Sequence, residues 1–146
     1  MPASAARARV IKDFRAGQIL WGESNEALRP VSPVLTYVVG TARHNFMAAL
    51  AAGRKRHLVP AGTERFFKTR VVALFGSTAT VITCDDGSKY RQLDPRTGTI
   101  DTALTPGPDE AYTFISWDMV LRSGHWAIAR FTFVSLPDSR ARSCQP

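Results

Sequence analysis

The spacing of apolar residues divides the chain into a helical first half and a strand-rich second half. Steps of three, four and seven residues predict a helix over 5–28, with Val10 and Phe14 on its buried face. Proline, which lacks an amide proton, ends that run and begins a short helix over 33–39. A third helix is predicted over 41–57, with Thr41 as its N-cap and Ala49 on its apolar face.

After Pro60 the apolar period changes to two, which is typical of strands. Strands are predicted at 65–75, 78–84, 88–93, 111–122 and 126–136. The turns Gly76-Ser77 and Ser123-Gly124-His125 join two pairs of them as hairpins. Helices followed by strands predict an α+β fold, in which three N-terminal helices pack on an antiparallel sheet within a single domain over 1–146.

Composition and charge narrow the class of protein. The 146 residues are 45% hydrophobic and 21% charged, an ordinary globular composition that argues against disorder. The net charge of +7 is regional, because residues 1–70 hold 12 basic and 4 acidic side chains (+8) and residues 71–146 hold 7 and 8 (−1). The basic half is therefore the half to search for an anionic partner.

Arg54, Lys55 and Arg56 form the densest basic run, at the predicted end of the third helix. The run is interpreted either as a solvated helix end or as a contact surface for an anionic membrane or envelope component. Nucleic acid is the less favoured partner, because the sequence offers neither a recognition motif nor an aromatic stacking platform.

The cysteines, the histidines and the absence of a long apolar run bear on compartment and cofactors. No stretch approaches the roughly 18 apolar residues of a membrane span, and the first residues lack a signal-peptide core. The histidines are scattered and no Cys-x-x-Cys is present, so neither a metal nor a cofactor is expected. Cys84 and Cys144 are either joined by a disulfide or remain two free thiols.

Asp118 is the candidate catalytic residue, because it is the only acidic residue embedded in a long apolar strand. An isomerase or cyclase needs such a carboxylate base and a hydroxyl opposite it, which Tyr37 or Tyr112 could supply. The alternative is that Asp118 points to solvent or pairs with Arg130 on the neighbouring strand. The second interpretation is favoured, since no matched acid and base accompany it.

Several short motifs together resemble one family of proteins. They are Leu35-Thr36-Tyr37 before Gly40, the strand end Cys84-Asp85-Asp86-Gly87-Ser88, the turn Asp94 to Thr97-Gly98, the hairpin Gly124-His125-Trp126 and the terminal Cys144. In this order they resemble small actinobacterial secreted proteins and lipoproteins with a nuclear-transport-factor-two-like fold. Two departures are Thr83 where the family has aspartate, and no visible lipobox.

The resemblance implies a curved sheet wrapped around the helices, forming a cone whose open end can hold a small apolar ligand. It also implies a Cys84–Cys144 disulfide, and a bend after Cys84 that Asp86 and Ser88 shape by hydrogen bonds to the backbone. Calcium binding by Asp85-Asp86-Gly87-Ser88 is disfavoured, because calcium loops supply more oxygen ligands over a longer segment.

The function expected is that of a non-enzymatic binding or interaction module of the cell envelope or extracellular space. The first alternative is a small-molecule isomerase or cyclase of the SnoaL-like kind that uses Asp118. The second is an accessory protein of phage, conjugation or secretion machinery, since similar folds serve there. A cytoplasmic location and a homodimer both stay open, because the fold does not choose a function.

Overall fold

The order of elements agrees with the predicted α+β class, in a computed structural model that describes residues 2–146. The helices are α1 (Ala3–Ala27), α2 (Val34–Tyr37), α3 (Gly40–Arg56) and α4 (Ser139–Arg142). The strands are β1 (Val59–Phe75), β2 (Thr78–Leu93), β3 (Tyr112–Arg122) and β4 (His125–Val134), with a 3-10 turn at Pro108–Glu110. The short α4 has no counterpart among the predicted elements.

The predicted apolar face of α1 is buried, whereas two details of α3 differ from the prediction. Leu50 takes the core position in α3, while Ala49, predicted there, is exposed. The predicted cap at Thr41 is wrong, because the helix begins at Gly40 and Val39 precedes it without a side-chain cap. The Val39 amide instead donates to the Ile128 carbonyl oxygen (2.8 Å), which attaches the start of α3 to β4.

The four strands form an antiparallel sheet in the order β1-β2-β3-β4. Both predicted hairpins are present, and Gly76 and Gly124 adopt the positive φ values that such tight turns require. The helices pack on one face of this sheet, here called the inner face. Its core contains Val10, Phe14, Val34, Val38, Ala42, Phe46, Leu50, Ala79, Val81, Ile115, Trp117, Met119, Trp126 and Ile128.

The predicted break between strands 78–84 and 88–93 is wrong, because β2 runs through both. A β-bulge opposite the Thr63/Arg65 step of β1 takes up the intervening Gly87 and Ser88 without ending the strand. Asp86 Oδ1 accepts hydrogen bonds from the Ser88 amide (3.1 Å) and hydroxyl (2.6 Å), as the resemblance implied. The bend is therefore built inside a continuous strand.

Strand β1 also begins earlier than predicted, at Val59 rather than at residue 65. Pro60 is compatible with this strand because β1 lies at the sheet edge. Gly62 has φ +78°, and a Cβ there would lie 1.8 Å from the Lys89 carbonyl oxygen. The sequence Pro60-Ala61-Gly62 thus forms an irregular edge strand rather than a loop.

The opposite, outer face of the sheet carries the C-terminal segment. Cys84 of β2 forms a disulfide with Cys144, which lies two residues after the end of α4, and both cysteines are buried. Phe114, the register partner of Cys84, has the Arg140 guanidinium 5.7 Å from its ring centroid. The disulfide therefore holds α4 against the outer face.

Candidate functional site

A cavity of about 550 Å³ opens between the C-terminal half of α1 and the inner face of the sheet. All four strands contribute to its walls, so it occupies the open end of the curved sheet. The lining residues are Gln18, Ile19, Trp21, Gly22, Asn25, Glu26, Pro60, Gly62, Thr63, Glu64, Phe66, Asp85, Tyr90, Ile115, Trp117 and Phe131.

Aromatic side chains form one wall of the cavity. The Trp117 ring packs edge-on against Trp21 (6.4 Å between centroids) and Phe66 (5.9 Å), and Phe131 lies 5.1 Å from it. Trp117 is itself held by a buried hydrogen bond, since its indole nitrogen donates to Thr83 Oγ1 (2.9 Å). The wall is thus a packed aromatic cluster with fixed ring orientations.

Two carboxylic acids, Glu64 from β1 and Asp85 from β2, meet beside this wall, since Asp85 is the register partner of Phe66. Burial raises the pKa of Asp85 to about 8, aided by the charge of Glu64, the hydrogen bond between the two carboxyl groups, and the charge of Asp86. Burial also raises the pKa of Glu64, although its hydrogen bond with Asp85 acts in the other direction. Two carboxyl groups can hydrogen-bond only when a proton lies between them, so the pair is not doubly ionised at neutral pH.

Two further polar side chains, those of Gln18 and Tyr90, reach the cavity. Gln18 Nε2 of α1 and Asp85 Oδ1 are both buried and have no hydrogen-bond partner in the protein. The Tyr90 hydroxyl accepts a hydrogen bond from the Gln92 amide, and burial, with the charge of Glu64 second, raises the pKa of Tyr90 to about 12. Tyr90 is therefore a neutral hydroxyl that can donate its proton to a bound group.

The bulge in β2 explains why Asp85 and Tyr90 share a face although their numbers differ by an odd step. Phe66 pairs with Asp85, and Gly62 pairs with Tyr90, so the five residues 62–66 of β1 face the six residues 85–90 of β2. The extra residue reverses the alternation of side chains along β2. Without it, Tyr90 would point to the outer face.

The structure places the predicted catalytic residues outside this cavity and apart from each other. Asp118 lies on the outer face of β3, where Arg130 Nε (2.9 Å) and Nη2 (2.7 Å) both donate to its Oδ2. This is the ion pair that the strand alternation favoured. Tyr37 packs on His125 (5.5 Å between centroids) at the other end of the sheet, and Tyr112 is not among the lining residues.

The basic run at the end of α3 is partly engaged within the molecule. Arg54 Nη1 donates to the Leu28 carbonyl oxygen (2.6 Å), beyond the end of α1, and Arg56 lies 3.5 Å from Asp101 Oδ2. Cations at a helix C-terminus are favourable for the helix dipole. Binding of Arg54, Lys55 and Arg56 to an anionic surface stays a prediction.

The sequence interpretation missed Glu64, Asp85, Gln18 and Tyr90. Asp85 carried a usable signal, because Ala79, Val81, Thr83 and Asp85 alternate along one face of β2. That alternation extends the core face to a carboxylate. Glu64 and Tyr90 carried no such sequence signal. Strand β1 was predicted to begin after Glu64, and the bulge reverses the alternation of side chains before Tyr90.

No protein-family model matches the chain, and no curated protein matches it in sequence. Two solved structures are similar in fold. The intermembrane-space region of the chloroplast protein ARC6 has a TM-score of 0.53 at 13% identity, over 92% of this chain and 98% of that one. A provisionally assigned aromatic ring hydroxylase from Novosphingobium aromaticivorans has a TM-score of 0.55 at 11% identity, over 88% and 92%.

These likenesses concern the fold alone. They support the α+β architecture of N-terminal helices on an antiparallel sheet, consistent with the cone that was expected. Within residues 2–146, no helix has the length and apolar character needed to cross a bilayer. The same residues contain no group of three His, Cys, Asp or Glu side chains suited to a metal ion.

Proposed function

We propose that the domain binds a small, largely aromatic molecule in the cavity between α1 and the sheet, with the polar end of that molecule toward Asp85 and Gln18. The observation that carries the proposal is the pair of buried, unpartnered atoms, Asp85 Oδ1 and Gln18 Nε2, on the wall of an aromatic cavity. A ligand that supplies partners to both would relieve two desolvation costs of about 1–3 kcal/mol each.

The size and lining of the cavity support this function. Small-molecule sites have volumes of roughly 300–1,000 Å³ and combine apolar walls with a few converging polar groups. Here about 550 Å³ is lined by Trp21, Phe66, Trp117 and Phe131 and by the adjoining carboxyl pair. The arrangement fits a ring system that stacks on the aromatic wall and presents a hydroxyl, amide or amine to the carboxyl pair.

The compartment proposed for this activity is the cell envelope or the extracellular space. The disulfide Cys84–Cys144 supports it, because structural disulfides persist in oxidising compartments. The resemblance to secreted actinobacterial cone proteins supports the same location. Mass measurement of alkylated, unreduced protein purified from its native source tests it, and two labelled thiols would contradict it.

A variant at Gly22 tests the binding function. Gly22 lines the cavity in α1, and a Cβ there meets no atom within 4 Å, so a larger side chain can enter the mouth without a clash. We expect 2-naphthalenemethanol, a neutral two-ring probe, to bind the parent protein measurably by calorimetry. Gly22→Leu should weaken its binding at least about tenfold, equivalent to about 1.4 kcal/mol.

The matched control is Gly22→Ala, which also replaces the helix-destabilising glycine but adds little volume. It should bind the probe as the parent protein does. Equal affinity of the Leu and Ala variants, with both folded by circular dichroism, would place the binding elsewhere. No measurable binding to the parent protein would contradict the proposed function.

A second candidate function, acid–base catalysis, is favoured by the shared proton of Asp85 and Glu64. A protonated Asp85 can donate to a carbonyl oxygen while ionised Glu64 accepts a proton from carbon, which is the division of roles that an isomerase requires. For the isomerase alternative, the candidate catalytic residues are therefore Asp85 and Glu64 rather than Asp118. Conjugation of a β,γ-unsaturated cyclic ketone, followed by ultraviolet absorbance, should be lost in Glu64→Gln and retained in Asp118→Asn.

A further inference from the structure

We infer that the cavity selects organic cations: its ligand is an aromatic or polycyclic amine or quaternary ammonium compound, and neutral and anionic molecules of the same shape bind more weakly. The inference rests on the proposed function, since it names the chemical class of the ligand for the same cavity. It is carried by the juxtaposition of Glu64 and Asp85 with an aromatic wall in a cavity whose lining holds no basic side chain.

The charge of the cavity is opposite to that of the chain. The protein carries a net charge of +7, with 19 basic and 12 acidic side chains. Among the described residues that line the cavity, Glu26, Glu64 and Asp85 are acidic, and none is Lys, Arg or His. A cation entering this space meets carboxylates and no opposing charge.

Two arginines that are sequence neighbours of lining residues, Arg65 beside Glu64 and Arg91 beside Tyr90, are engaged in other contacts. The Arg65 guanidinium lies 4.9 Å from the ring centroid of Phe67. The Arg91 guanidinium donates to the carbonyl oxygens of Ser88 (3.1 Å) and Tyr90 (2.7 Å). Neither neutralises the pair, because every influence on the pKa of Asp85 raises it.

The aromatic wall adds a second attraction for the same charge. The faces of tryptophan, phenylalanine and tyrosine carry negative electrostatic potential and bind ammonium groups, most strongly where water is excluded. Trp117 is nine-tenths or more buried, and Trp21, Phe66 and Phe131 surround it at the cavity. An ammonium group bound where these rings adjoin the carboxyl pair would be attracted by both.

The bound cation should also change the protonation of the carboxyl pair. Without ligand, Asp85 holds a proton up to a pH of about 8, so the pair is not doubly ionised below that pH. A bound cation favours the doubly ionised pair, because an opposite charge nearby lowers a carboxyl pKa. Cation affinity should therefore rise between pH 6 and pH 9 and level off above.

The groups around Asp85 allow this assignment. Glu64 from β1 and Asp86 from β2 add negative charge, and Glu26 from α1 stands at the cavity wall. Tyr90, with its pKa near 12, keeps its proton throughout this range. The lining side chains of β3 and β4, Ile115, Trp117 and Phe131, do not titrate. The carboxyl pair is thus the source of the expected pH dependence.

Three probes that share a 2-naphthylmethyl group test the inference by calorimetry: a trimethylammonium, its neutral tert-butyl analogue, and a carboxylate. The quaternary ammonium keeps its charge at every pH, so a pH effect arises in the protein. At pH 9 we expect the cation to bind at least about tenfold more tightly than the neutral analogue. The preference should shrink at pH 6, and the carboxylate should bind most weakly of the three.

Variants assign the selectivity to the carboxyl pair. Glu64→Gln and Asp85→Asn should each reduce the preference for the cation over the neutral analogue severalfold. The preference is taken within each variant, as the ratio of its affinities for the two probes. Asp118→Asn removes the same formal charge from the outer face and should leave the preference unchanged, which excludes an effect of net charge.

The outcomes separate this inference from the proposed function. If the neutral analogue binds the parent protein as tightly as the cation, the inference is wrong and the binding function stands. If none of the probes binds, both are wrong. If the double variant Glu64→Gln/Asp85→Asn is folded and still prefers the cation tenfold, the carboxyl pair does not select the charge and the inference is overturned.

Discussion

Asp85 and Asp118 lie on neighbouring strands of the same sheet but on opposite faces, and their surroundings differ in every respect. Asp118 faces outward, is 40% exposed at its side chain, and accepts two hydrogen bonds from Arg130 at one oxygen. Asp85 faces inward, has a buried oxygen without a partner, and lies beside a second carboxyl group that helps to raise its pKa. Arg130 neutralises the carboxylate on the outer face, whereas the carboxyl group on the inner face has an oxygen without a hydrogen-bond partner.

The two faces also differ in how they are closed. The C-terminal segment covers the outer face and is joined to it by the disulfide. On the inner face, α1 and α3 cover the half of the sheet around Met119 and Ile128 but leave the half around Asp85 and Tyr90 open. The position of the cavity therefore depends on where the helices end, because the same strands run through both halves of the sheet.

Removing the disulfide should produce the largest effect, and it acts on the outer face. Cys144→Ser releases a loop of 60 residues, for which the chain-entropy model gives a loss of about 4 kcal/mol in the free energy of unfolding. Urea unfolding followed by circular dichroism measures the loss. Gln145→Ser, at the exposed neighbouring position, is the control and should change little. A loss below about 1 kcal/mol would show that α4 is held by packing alone.

Removing the hydrogen bond beneath the aromatic wall should have the next largest effect, on the inner face. Thr83→Val keeps the shape of the side chain but leaves the buried Trp117 indole nitrogen without its acceptor. We expect the free energy of unfolding to fall by about 1–3 kcal/mol. Thr80→Val, on the outer face of the same strand beside Asp118, should change it by less than about 0.5 kcal/mol. Equal losses in both variants would argue against this difference between the faces.

The sequence predicts the parts of the fold that depend on local periodicity. The three N-terminal helices, both hairpins and the α+β class follow from apolar spacing and turn residues, and the disulfide was implied by the family resemblance. The site was not predicted, because it depends on a bulge that reverses the alternation before Tyr90. It also depends on an edge strand that tolerates Pro60 and Gly62. Neither feature leaves a periodic pattern.

The candidate catalytic residue, Asp118, shows the same limit of prediction from local periodicity. Asp118 is conspicuous as a charge within an apolar strand, but alternation alone does not say which face of a sheet the helices will cover. Asp85 continues the alternation of the core face and was interpreted as part of a polar turn. Its raised pKa arises first from burial and then from Glu64, which lies on another strand 21 positions earlier in the chain, so only the tertiary structure brings the pair together.

Asp85 should make the stability of the protein fall as the pH rises. Its pKa in the folded protein, about 8, exceeds the ordinary aspartate value of 3.8, so the folded state binds more protons than the unfolded state between these values. The free energy of unfolding should therefore decrease from about pH 4 to about pH 8, by at most about 1.4 kcal/mol per pH unit for one group. Asp85→Asn should flatten this slope and be more stable than the parent protein at pH 8.

Urea unfolding at pH 5, 6, 7 and 8 measures that slope. The control is Asp118→Asn, which should retain the slope of the parent protein because it leaves the carboxyl pair intact. An unchanged slope in Asp85→Asn would mean that the inner carboxylate is as well solvated as the outer one. The contrast between the two faces would then be lost.

The smallest effect is expected for the outer ion pair itself. A double-mutant cycle with Asp118→Asn and Arg130→Gln measures the coupling free energy between the two side chains, which are 40% and 65% exposed. Exposed pairs of this kind contribute about 0.2–1 kcal/mol, because water screens the charges and two long side chains lose rotamer freedom. Added salt should reduce the coupling further. A coupling above about 2 kcal/mol would indicate that Asp118 is poorly solvated, and the outer face would then be electrostatically similar to the cavity rather than its opposite.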